Sequence, residues 1–209
     1  MDALVAQVTP LTGPWGAQGA QAAAASRLYF DYINATGGLR GRRIRHLVLD
    51  DGGQAAATLR LAQQALERHG ALVLFGVAGS TRLLDLLAEE VLEKAGAPLV
   101  NPPAREPGTR LADSGWVFRF DAALPLPERP CVPAVREYHT LLKRHPGAAA
   151  PTPIGVAHFL GAKLLVEALQ RAGPRPSRAT LLAALEAMDQ CDLGGVTVQQ
   201  ARQFTRQAA

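Results

Sequence analysis

VTPLTGPWGAQGAQAAAASRLYFDYINATGGLRGRRIRHLVLDDG, residues 8–52, passes from the end of an apolar run through a Pro/Gly turn into a long Ala-rich segment. It then crosses a Gly-Gly turn into a second apolar run that closes on two aspartates. Leu4 to Val8 predict a short buried strand stopped by Thr9-Pro10, and Ile44 to Leu49 predict the next strand. Between them a helix is expected over about 18–34, with Ala20, Ala24, Leu28 and Tyr32 on one face. Gly37-Gly38 end it, because glycine accepts the left-handed conformation that closes helices. Strand, crossover helix and strand in this order predict parallel pairing with a right-handed connection.

The same alternation continues outward. A second helix is expected over about 54–69, with Ala55, Leu59, Ala62 and Leu66 inward. Ala71 to Phe75 are nearly all apolar, as in a strand buried on both faces. A third helix over about 81–95 aligns Leu84, Leu87, Ala88, Val91 and Ala95. Pro98 to Val100 predict strand four, and Trp116 to Phe120 strand five. The pattern then breaks at DAALPLPERPCVP, residues 121–133, whose four prolines neither continue a strand nor start a regular helix before Pro133. Beyond it the chain reads as helices over about 134–144 and 154–172, then a third opening at Ser177 with Leu181, Leu185 and Met188 inward. Leu193 to Val198 read as a turn into a short strand, and residues 199–209 as a frayed tail. The fold class is therefore α/β and Rossmann-like, with a parallel sheet of about five strands. Residues 1–120 form an alternating strand/helix block and 134–198 a helical block, joined by the linker 121–133.

Composition narrows the function classes. The 209 residues are 48% hydrophobic with a net charge of +4, a balance open to an ordinary globular protein. The basic residues are scattered arginines, and the densest run, Arg40-Gly-Arg42-Arg43-Ile-Arg45, has no interleaved aromatics. It reads as a solvated turn and strand edge, so no nucleic-acid partner is expected. No apolar stretch reaches membrane-spanning length. The first strand starts too early to leave room for a signal peptide, so the chain would be cytoplasmic if Met1 is the native start. Cys131 and Cys191 are equally compatible with a disulfide and with two thiols.

Catalytic signals are weak. The histidines at 46, 69, 139, 145 and 158 lack metal-ligand spacing, and no nucleophile elbow is present. Asp50-Asp51 read as a turn pair, with neither G-x-G-x-x-G nor a P-loop lysine beside them. No enzyme, cofactor or metal site is expected.

P-L-T-G at 10–13, Gly19, N-A-T-G-G-L-R-G-R at 34–42 and Asp50-Asp51 resemble the opening of the type I periplasmic solute-binding proteins, the leucine/isoleucine/valine-binding family of ABC transporters. Val135-Arg-Glu-Tyr138, Ala162 to Gly173, Pro176-Ser-Arg178 and Asp192-Leu-Gly-Gly195 are similar to that family's later helices and following segments. The resemblance implies that the late helices pack on the first block, so that 1–120 and 134–198 form a single three-layer lobe, and that the second of the family's two lobes, roughly a hundred or more residues, is missing between about 120 and 124. It also implies a periplasmic location and a small ligand such as an amino acid or other small carboxylate. An ABC permease would be the partner, or a homodimer formed through the uncovered lobe face.

Ligands of parallel sheets bind outside the carboxyl ends of the strands. The turn Gly76-Val-Ala-Gly79-Ser80-Thr81 leads into the third helix, whose first N–H groups can receive a carboxylate. By position in the motif, Ser80 matches the family's ligand-binding serine and Gln18 a contact before the first helix glycine. Ser80 and Thr81 could equally be helix caps, Gln18 a solvated helix-start residue, and Trp15 either a stacking surface or a cover for the sheet edge. Ala104 and Arg105 follow strand four, where the family offers backbone groups and often a hydroxyl. Arg105 departs from that pattern and would either pair with an acidic ligand, fill the site itself or lie exposed.

Overall fold

A computed structural model describes residues 2–77, 80–101, 115–125, 127, 131–145 and 150–200, excluding the side chains of Ser80 and Asp121. The elements are β1 (Ala3–Thr9), α1 (Gly16–Ala35), β2 (Ile44–Asp50), α2 (Ala55–Glu67), β3 (Val73–Phe75), α3 (Ser80–Ala88) and α4 (Val91–Ala95). They are followed by β4 (Leu99–Val100), β5 (Val117–Phe118), β6 (Phe120–Asp121), α5 (Pro133–Lys143), α6 (Pro153–Arg171), α7 (Arg178–Glu186), β7 (Gln190–Asp192) and β8 (Thr197–Gln200).

β2-β1-β3-β4-β5 form one parallel sheet with β3 at its centre. Val73, Leu74 and Phe75 are each 0% exposed, so the central strand is covered on both faces. Successive side chains of a strand point to opposite faces, and the core divides accordingly. Val5, Val73, Phe75, Val100 and Phe118 join the cluster formed with α1, α5, α6 and α7. Ala6, Val8, Leu74 and Leu99 join the one formed with α2, α3 and α4.

α6 is the main cover of the first face. Thr152 caps it by accepting from the Gly155 N–H at 3.0 Å, and Pro153 occupies the first turn, where its missing N–H costs nothing. Val156, Phe159, Leu160, Leu164, Leu165 and Leu169 are buried against α1 and the sheet. Each such side chain contributes on the order of 1.5–3 kcal/mol relative to exposure. Lys163 pairs with Glu137 of α5 and lies over the Tyr29 ring, which fastens α5 and α1 to the same helix.

Several expectations are corrected. The inward face of α1 is not Ala20–Ala24–Leu28–Tyr32, because Ala20 and Ala24 are exposed whereas Ala22, Ala23, Ala25, Ser26, Tyr29 and Phe30 are buried with Leu28. An alanine-rich helix packed on both the sheet and α6 buries more than one stripe, so a single-face reading fails. The expected helix over 81–95 is two helices, since Glu90 adopts φ +53° and breaks it. The break resets the phase, so Leu83 and Leu86 point inward and Leu84 is exposed. Strand five stops at Phe118, and Phe120 opens a three-stranded antiparallel sheet, β6-β8-β7, that was not foreseen as a sheet. Phe120, Cys191 and Val198 of that sheet pack into the α6 cluster, so it extends the same core. β8 includes Gln199 and Gln200, two residues expected in the tail. Cys131 lies at the surface and Cys191 is buried, and no disulfide joins them.

At the amino-terminal edge of the sheet, Ser177 and Thr180 form a capping box for α7, and Arg178 reaches back across the molecule. Its guanidinium donates to the carbonyls of Leu66 at the end of α2, Ala71 before β3 and Ala95 at the end of α4. Helix ends leave such carbonyls without intrahelical donors. Arg178→Ala strands these three acceptors at once. The expected result is a loss of about 2–4 kcal/mol, read as a lower urea midpoint, and an unchanged midpoint would refute the clamp.

Candidate functional site

The carboxyl ends of β1, β2 and β3 open into one cavity of about 610 Å³. Thr9, Pro10, Trp15, Gln18, Gly19 and Ala22 line it from the β1–α1 connection, and Gly53 and Ala55 from the start of α2. Gly76 follows β3, Thr81 and Arg82 come from the first turn of α3, and Ile154 and His158 from α6.

The β1–α1 connection is held down by Asp50. Its carboxylate accepts from the N–H groups of Leu11 at 2.8 Å, Gly52 at 2.8 Å and Thr12 at 3.3 Å, and from the Thr12 hydroxyl at 2.7 Å. These bonds, led by the Leu11 N–H, favour the anion and lower its pKa to about 2. The loop then folds back onto the first turn of α1, where a Cβ at Gly19 would overlap the Pro10 carbonyl. That close approach explains the glycine of the G-A-Q-G segment.

Asp51, 3% exposed, accepts from Gly53 N–H at 2.8 Å and the Thr58 hydroxyl at 2.6 Å, and Arg82 Nε lies 3.7 Å from it. Arg82 also donates to the Gly53 carbonyl at 2.7 Å. The two aspartates thus work as the expected turn pair, one securing each side of the cavity mouth. Among the described residues no group of His, Cys, Asp and Glu is arranged to hold a metal ion.

Behind the wall lies a polar cluster that the sequence reading did not connect. Gln7, 0% exposed, has its amide nitrogen 3.5 Å from His158 Nδ1 and its amide oxygen 3.0 Å from His46 Nε2. The Ser26 hydroxyl donates to the Ala22 carbonyl at 2.9 Å and lies 3.5 Å from His158 Nδ1. Burial lowers the pKa of His158 to about 4. Burial, then Arg27 and His158, lower that of His46 to about 3, so both rings are neutral near pH 7. The available signals were a glutamine inside the apolar run Ala3–Thr9 and a serine inside the alanine stretch of α1.

Trp15, Gln18 and Thr81 come together at this one cavity, with Trp15 60% exposed at its mouth. The backbone of Ser80 forms the start of α3. Gly79, Ala104 and Arg105 lie outside the described residues. Arg82 and His158 are additional lining residues, the first one position beyond the turn singled out in the sequence.

Residues 4–126 match the family model described as periplasmic binding protein. The chain belongs to this family. No curated protein sequence matches it. Among solved structures, a substrate-binding periplasmic protein from Ralstonia solanacearum is similar at 20% identity and TM-score 0.78, covering 93% of this chain and 91% of that one. An extracellular ligand-binding receptor from Verminephrobacter eiseniae gives 16% identity and TM-score 0.79, with 95% and 93% covered. The branched-chain amino acid transporter substrate-binding protein LivJ from Streptococcus pneumoniae, solved with isoleucine, gives 23% identity and TM-score 0.51. That match covers 57% of this chain and 33% of LivJ. These likenesses establish the fold.

The fastening by Asp50 has a pH signature. Its pKa is lower in the folded chain than the ordinary 3.8, so its contribution is complete above that value and is lost as pH falls from there toward 2. Amide shifts of Leu11 and Gly52 followed by NMR should show this acid step in the wild type. Asp50→Asn should abolish it, and an identical step in the variant would rule out Asp50 as its origin.

Proposed function

We propose that this chain is the solute-binding component of an ABC transporter for amino acids or similar small carboxylates, with residues 1–120 and 134–198 forming a single lobe. The observation that carries the reading is the cavity at the carboxyl ends of β1 and β3, with the first turn of α3 on its wall. The free N–H groups of that turn, with Ser80 and Thr81, would receive the carboxylate. Gln18 and Trp15 would contact the rest of the solute, and Ala104 and Arg105 would add contacts from beyond β4. The family supports a periplasmic setting and an ABC permease as partner.

Among the described residues no second α/β lobe faces this cavity, so a bound solute keeps one wet side. Enclosure would remove water and add charge-assisted hydrogen bonds worth about 1.5–3 kcal/mol each. Without two or three of them, micromolar affinity becomes roughly millimolar or weaker. Calorimetric titration with leucine should therefore give weak binding or none, and a micromolar dissociation constant would overturn the one-lobe reading.

A second reading, dimerisation through the same face, is favoured by Trp15 and Leu11, which are 60% and 38% exposed beside the cavity. Large apolar side chains at a rim invite a partner. Light scattering over a concentration series should then show self-association that Trp15→Ser weakens. A monomer at every concentration would exclude it.

A further inference from the structure

We infer that His158 is a specificity-determining residue whose Nε2–H faces the cavity, and that the solute held there carries a hydrogen-bond acceptor on its side chain. The inference rests on the solute-binding reading and narrows its substrate class from small carboxylates in general to those with an amide, carbonyl or hydroxyl on the side chain.

Two contacts and one unpartnered nitrogen fix the ring. Gln7 Oε1 can only accept, so His46 Nε2, 3.0 Å away, must carry a proton and donate to it. His46 Nδ1 is then a bare nitrogen, which fits its position as a buried atom with no partner. The opposite orientation of the Gln7 amide would require His46 Nδ1 to hold an N–H in that same unpartnered place, the costlier arrangement. With its oxygen committed to His46, Gln7 presents its NH₂ to His158 Nδ1 at 3.5 Å. A proton on that nitrogen would meet the amide hydrogens head-on, whereas the Ser26 hydroxyl, also 3.5 Å from Nδ1, can turn from the Ala22 carbonyl and donate to a bare nitrogen, so Nδ1 is the acceptor and the ring's single proton sits on Nε2.

The surroundings direct that proton outward. The Nδ1–Cε1 edge is occupied by Gln7 and by the backbone of Gly76, where an added Cβ would come within 2.9 Å of Cε1. Phe75 meets the ring edge-to-face at 5.9 Å. His158 Nε2 has no partner among the described residues, and the residue lines the cavity. Pro10, Ala22, Ala55 and Ile154 supply the apolar surface of the same space. A wholly aliphatic solute side chain placed against His158 would strip water from the N–H and return nothing, whereas an acceptor replaces that water. The donor comes from α6 and Thr81 from the first turn of α3, so the two would contact different parts of the solute.

Leucine and asparagine test this, being close in shape and differing in whether the side-chain end accepts a hydrogen bond. Ligand-observed NMR titration should rank asparagine above leucine by about fivefold or more, the ratio a single hydrogen bond supplies. His158→Phe, which keeps a ring and removes the donor, should abolish that preference. Leucine binding as well as asparagine, or a preference that survives in His158→Phe, would remove this inference and leave the binding reading intact. Binding of neither amino acid at tens of millimolar would remove this inference, while the one-lobe reading, which expects weak binding or none, would stand. Long-range ¹H–¹⁵N correlation spectra of the wild-type imidazole provide a readout independent of any ligand and of the variant's folding. A proton on Nε2 with bare Nδ1 is expected, and a proton on Nδ1 would overturn the inference.

Discussion

A parallel sheet must be covered on both faces, and in this chain the covers come from opposite ends of the sequence. β1, β3 and β4 alternate their apolar side chains between two clusters, so each face is as hydrophobic as the other. α2, α3 and α4 cover one face with residues local in sequence. On the other face the first part of α1 buries only small residues, from Gly16 to Ser26, and the volume is filled by α6 with its leucines and Phe159. Arg178 completes the arrangement by joining the carbonyl ends of α2 and α4 to the start of α7. The late helices are therefore part of the lobe's core, because without them half of the sheet would face water.

That constraint also shapes the cavity. Because α6 passes close to Gly76 at the carboxyl end of β3, Ile154 and His158 line the cavity together with the turns at β1 and α3. The polar cluster beneath is a consequence of the same packing. Gln7 sits on the α6 side of β1, and its amide connects the edge-strand His46 to His158. Asp50 and Asp51 meanwhile hold the loops around the mouth by hydrogen bonds to backbone and hydroxyl groups. The rim is thus rigid at the carboxylates, while its apolar side chains, Trp15 and Leu11, are left outward.

Legibility in the sequence followed how local each signal was. The order of strands and helices through β4, the N-cap at Ser177 and the inward Leu181, Leu185 and Met188 were all readable, because each depends on neighbours three or four residues away. The faces of α1 and α3 were misread for physical reasons. Alanine gives almost no contrast between faces, and a left-handed Glu90 shifted the phase where no glycine or proline announced a break. The β6-β8-β7 sheet was unreadable since its strands are two to four residues long and join positions about 80 apart in sequence. Trp15, Gln18 and Thr81, singled out from their turns, line the cavity, whereas His158 and Gln7 were not associated. Nothing within one segment links a strand glutamine to a histidine 151 positions later.

The sequence by itself determined the alternating α/β pattern, the ends of most elements and the turns that would border a ligand, since periodicity, capping and glycine placement act over a single turn of chain. Only the tertiary structure decided which helix closes the sheet's open face and which residues of that helix line the cavity. Those choices depend on volume, on the pairing of buried polar groups and on close backbone approach. Such properties exist only once distant segments share one core.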